Sequence, residues 1–206
     1  MFEQLFPQES ASLEALASLS NQVADAAALL SEMVGSHGKE NYPEVFANML
    51  EHESQSQNTF FTAMTQVRSS FAPPLPREDL YTLANHLMSA VERLTSAGHV
   101  LTLLKIDRFT SNATTLLDLI QREAVLTSAI IPRLGELKGT DEYWMDMIRL
   151  SRQATRTGEV YKAEILDLYK TDRYLKTVQF VEELTGASQA MRSVSTHIGR
   201  IIVQES

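Results

Sequence analysis

Apolar side chains recur at spacings of three and four along almost the whole chain, the period that gathers them on one face of an α-helix. From about Ser10 to Val34 the line is Leu13, Leu16, Leu19, Val23, Ala27, Leu30 and Val34, before GSHGKEN breaks it. A second helix is predicted from Pro43, where a proline followed by Glu44 suits a first turn, to about Phe71. Its inward residues are Phe46, Leu50, Phe60, Met64 and Val67. A third carries Leu80, Leu83, Leu87, Val91, Leu94, Leu101 and Leu104. A fourth runs from about Ala113, with Leu116, Leu119 and Ile120, to Ile131, where Pro132 kinks or ends it. The fifth follows KGTDEYW and reaches about Tyr169. The sixth starts near Arg173 and shows Leu175, Val178, Val181, Leu184, Met191, Val194, Ile198 and Ile201. Strand-like alternation is absent. The expected fold is all-α: a six-helix bundle with antiparallel neighbours, one domain over 1–206, built as two similar three-helix repeats. The repeats span about 9–106 and 112–206 and meet near DRFTSN.

Composition narrows the function classes. The 206 residues contain no cysteine, which excludes disulfides, thiolate metal sites and cysteine nucleophiles. MFEQLFPQES has neither a basic start nor a long apolar run, so it does not read as a signal peptide. No window approaches the length of a membrane span, and the expected compartment is the cytoplasm. The net charge of −8, with basic residues scattered, argues against nucleic acid and anionic lipid and favours a basic protein surface as partner.

Two places interrupt the stripes. On the second helix Glu53 and Gln57 fall among the inward positions, and a buried carboxylate needs a partner. On the fifth the stripe thins to Ser151, Ala154, Thr155, Thr157 and Gly158. None of the five histidines stands in a Glu-x-x-His or His-x-x-x-His pattern. His37 is expected in a loop, His52 and His99 on the surface, and His86 and His197 at the border of a core. Arg133, Arg149, Arg152 and Arg156 give the fifth-helix region a basic tint suited to an anion such as phosphate.

Between the second and third helices, FAPPLPREDL places three prolines in four positions ahead of Arg77, Glu78 and Asp79. Pro76 is expected to set φ for a first helical turn, the two acids to favour the helix N-terminus, and Leu75 to anchor the turn. The longer stretch FAPPLPREDLYTLANHLMSAVERL resembles the signature of the PhoU-like family of Pit accessory proteins (DUF47). Length, helix order and the GRIIV ending agree more loosely. The resemblance implies a PhoU-like bundle of two three-helix repeats and a regulator of inorganic phosphate transport. It also implies metal held by pairs of acids one helical turn apart. Here those pairs fall on Glu53 and Gln57, Met88 and Glu92, Ala154 and Gly158, and Gln189 and Ser193, so only two of eight carboxylates remain. The aspartate that opens the family's elbow motif is Pro76.

The expected function is a non-enzymatic cytoplasmic regulator of phosphate transport that acts by contact with a Pit-type membrane transporter or a signalling protein. Arg77 and Glu78 are its candidate partner-binding residues. Glu53, Glu92 and Asp79 are candidate ligands for a divalent or ferric metal, although no cofactor is expected. One alternative is a helical metalloenzyme, phosphohydrolase-like, using Glu53 and Glu92. Another is an oligomerisation module, homodimeric through Phe60, Phe61, Tyr143 and Trp144.

Overall fold

The computed structural model describes residues 11–35 and 39–205. Six α-helices follow one another: α1 (Ala11–Gly35), α2 (Tyr42–Ser69), α3 (Arg77–Leu104), α4 (Ser111–Ile130), α5 (Thr140–Leu168) and α6 (Thr171–Glu205). Short 3₁₀ segments, Lys39–Asn41 and Ile131–Glu136, precede α2 and follow α4. There is no strand among the described residues. Pro132 ends α4 as its sequence position implies, because its ring and missing N–H stop the helical ladder. Expectations about His37 and MFEQLFPQES lie outside the described residues.

Helices α1, α2 and α3 pack against one another, as do α4, α5 and α6. Contacts of α3 with α6 and of α1 with α4 join the two triplets, leaving α2 and α5 on the flanks. Helix α3 therefore buries more than one face. Leu80, Leu83, Leu87, Val91, Leu94 and Leu101 are buried, and so are Ala84, Met88, Ala90, Ala97 and Gly98. The small residues let neighbours come close: a Cβ on Gly98 would lie 2.6 Å from the Met49 sulfur.

Two expected stripes are rotated. On α2 the buried line is Tyr42, Val45, Met49, Ser56, Ala63 and Val67, while Leu50 is 46% exposed. Tyr42 fixes this rotation: its hydroxyl donates to the Ile106 carbonyl at 2.9 Å. On α6 Leu175 is exposed and Phe180, packed on Phe109, is fully buried. The start of α6 is held by Arg173, which pairs with Asp107 at 2.9 Å and lies over the Tyr169 ring. The connector between the triplets is tied down further. The Tyr169 hydroxyl donates to the Arg108 carbonyl, and Thr110 and Asn112 both donate to Glu164.

The proline elbow works as a clamp. Leu75 is buried, and Pro76 stands just outside α3 with its carbonyl accepting from the Asp79 and Leu80 amides. Arg77 reaches back: Nε donates to the Val67 carbonyl at 3.1 Å and an η-nitrogen to the Ser70 carbonyl at 2.8 Å. A cation there satisfies carbonyls that the end of α2 leaves without intrahelical partners and meets the negative end of its dipole. Replacing Arg77 by Ala is expected to cost about 1 kcal/mol of stability, discounted for exposure. Arg77→Lys should recover less than half, since an ammonium lacks the fork; urea denaturation of the three proteins measures both.

Candidate functional site

The sequence candidates separate into two places on α3. Glu53 on α2 is half-buried and Glu92 on α3 is exposed. They lie close enough to interact: burial raises the Glu53 carboxyl above the usual range, and the Glu92 charge raises it further. Asp79 sits about 20 Å away along α3, at about 1.5 Å of rise per residue, and cannot join them. Gln57, expected to face inward, is exposed, and the half-buried ring of His52 carries a buried Nδ1 with no partner. His99 is exposed and stacks on Phe46 at 5.2 Å, as a surface position allows.

The residues at the remaining positions do not fit a metal cluster. Ala154 is fully buried, and a Cβ on Gly158 would meet the Thr185 methyl at 2.6 Å, so no aspartate fits at Gly158 without displacing the Thr185 side chain of α6. The Ser193 hydroxyl donates to its own helix, to the Gln189 carbonyl. Among the described residues no three His, Asp or Glu side chains converge to hold a metal. The thin stripe on α5 is thus a packing feature, where small side chains admit α6.

Asp79 has another role. It is buried, 4% exposed, and its carboxylate meets His197 Nε2 on α6 at 2.8 Å; His197 is 8% exposed. His86, two turns along α3 from Asp79, is nearby: burial lowers its pKa first, and His197 lowers it further. This pair ties the start of α3 to the end of α6. Replacing Asp79 by Ala is expected to cost about 2 kcal/mol, because it leaves a buried imidazole nitrogen without its hydrogen-bond partner; urea denaturation of the two proteins measures it. Arg77 directs its donors within the fold, and Glu78 is exposed beside it.

A second buried carboxyl escaped the sequence reading. Glu123 on α4 is 0% exposed; Oε1 accepts from the Ser188 hydroxyl at 2.9 Å, and Oε2 has no hydrogen-bond partner among the described residues. Nearby, Thr127 and Tyr143 share a 3.0 Å hydroxyl bond. The signal was present, since a stripe through Leu116, Ile120 and Thr127 passes over Glu123. Of the four aromatics considered for an interface, Phe61 is 67% exposed, Phe60 is partly buried, Tyr143 is buried, and Trp144 lies against Gly199.

This arrangement is that of an all-α protein with the PhoU-like fold. The chain matches the crystal structure of a PhoU-like protein from Shewanella oneidensis MR-1, with a TM-score of 0.77 over 93% of this chain and 99% of that one, at 12% sequence identity. No family model matches the chain, and no curated protein matches its sequence.

Burial pushes the Glu123 carboxyl up to about 8, against the opposing Ser188 hydrogen bond, while the unfolded value is 4.5. The folded chain keeps a proton that the unfolded chain releases. Its contribution is therefore complete below about pH 4.5, falls by about 1.4 kcal/mol per unit as pH rises, and is gone above about pH 8. Glu123→Gln should flatten the decline in stability between those limits and raise the melting temperature at alkaline pH. Thermal denaturation across pH measures it.

Proposed function

We propose that the chain is a non-enzymatic cytoplasmic accessory protein of inorganic phosphate transport, acting by contact with a Pit-type transporter. The observation that carries this reading is the PhoU-like fold over nearly the full chain, joined to the FAPPLPREDL elbow that resembles the Pit accessory signature. The charge agrees with it. A chain of net charge −8 suits cytosolic transporter loops, which are enriched in Lys and Arg. Among the described residues no helix is long and apolar enough to cross a membrane, so the contact is made from the surface of the bundle.

The same reading makes the Glu53–Glu92 pair a remnant rather than a reaction centre. With Ala154 fully buried and Gly158 packed against α6, the second triplet supplies no carboxylates at the matching positions.

The test measures phosphate uptake in cells with the gene deleted, complemented, or complemented with Glu53→Gln/Glu92→Gln, alongside crosslinked co-purification of the transporter. The expected outcome is altered uptake on deletion, full rescue by both genes, and recovery of the transporter with the bait. Unchanged uptake on deletion with no transporter recovered rejects the proposal. Rescue by the native gene alone points instead to carboxylate chemistry at that pair.

A further inference from the structure

The outer face of α5 is unlike the rest of this acidic chain. Met145, Arg149, Arg152, Arg156 and Val160 recur at spacings of four and three, a stripe roughly 22 Å long on the flank away from α4 and α6. All five are exposed, Met145 by 70% and Val160 by 56%. Met145, Ile148, Arg149, Arg152, Gln153 and Arg156 line a groove of about 660 Å³, with Asp146 its single acid. Asp146 pairs with Arg149 at 3.0 Å. Among the described residues Arg152 and Arg156 make no hydrogen bond or ion pair, so two guanidiniums without a partner there stand one helical turn apart.

We propose that this face of α5 docks an acidic amphipathic helix of another protein. Three guanidiniums at positions i, i+3 and i+7 extend along a helix axis for about 10 Å, too far for one small anion to engage together. Carboxylates with the same spacing on a facing helix reach all three, each as a charge-assisted contact. The apolar ends, Met145 and Val160, and the half-buried Ile148 give such a helix a hydrophobic edge. A nucleic acid gains nothing from them. Its backbone would also meet Asp141 and Glu142 beyond one end of the stripe and Glu159 beside the other, all exposed on the same helix. The net charge of −8 repels an acidic partner from the remainder of the surface and so directs it to this face. The inference is independent of the transporter reading, which uses the acidic surface.

The experiment uses the whole chain and a fluorescent peptide of about 18 residues, roughly 27 Å of helix, with Glu along one face and Leu beside it. Three comparisons accompany it: a scrambled peptide of the same composition, a single-stranded oligonucleotide of similar length, and sedimentation of the protein alone. Binding of the amphipathic peptide, weaker binding of the scrambled one, and a loss of at least tenfold in Arg152→Glu/Arg156→Glu are expected. Both positions are exposed, so circular dichroism melting should show the variant folded. Arg122→Glu/Arg192→Glu changes the charge equally at exposed sites on other helices and should leave binding within about twofold. The proposal is overturned by absence of peptide binding, by equal binding of the scrambled peptide, or by an equal loss in the control variant. Tighter binding of the oligonucleotide, or self-association abolished by Arg152→Glu/Arg156→Glu, assigns the face to nucleic acid or to a second copy and also overturns it.

Discussion

The fold depends on the seam between α3 and α6. Each three-helix set closes its own core, yet neither covers all its apolar surface; α3 and α6 bury most of the remainder against each other, and α1 meets α4 beside them. That requirement explains the composition of α3. A helix buried on several sides needs large residues to fill space and small ones to admit neighbours, and α3 alternates leucines with Ala84, Ala90, Ala97 and Gly98. Helix α6 meets α5 by the same device at Gly158 and Thr185. The apolar area removed from water is the main driving force, and the small residues let it be removed without voids.

Polar groups inside this seam act as local constraints. The Asp79–His197 bond closes one end of it, next to the elbow where Arg77 ties α2 to the start of α3. Around one turn of α3, the chain thus satisfies a helix end, a buried carboxylate and a buried imidazole. Glu123 is the counterexample, because its second oxygen lacks a partner among the described residues. A neutral carboxyl is the form a buried, half-bonded glutamate adopts, since isolating the charge costs far more than keeping the proton.

Charge is distributed unevenly over the two flanking helices. The outer side of α2 offers polar neutral residues such as Ser54, Gln55, Gln57 and Asn58, while α5 offers three arginines. A bundle whose interior is closed by apolar contacts leaves its outer faces free for recognition. The flanks, which pack mainly against their own triplet, have the most such surface.

Helix number, order and most inward residues were legible from the 3.6-residue period, because that period follows from burying one face of each helix against the others. The elbow was legible as a turn, since proline acts locally. Rotation of α2 and of the start of α6 was not. Leu50 and Leu175 lie next to the true buried lines, and contacts from distant segments, Tyr42 with Ile106 and Arg173 with Asp107, decide the angle. Partnership was equally hidden. Asp79 and His197, or Glu123 and Ser188, are far apart in the chain, and only packing of α6 against α3 and α4 brings each pair within hydrogen-bond distance. Which segments are helices, and what each must bury, follows from the order of residues alone. Which polar side chains meet follows from how the helices pack, because a hydrogen bond depends on ångström-scale positions that hydrophobic periodicity does not encode.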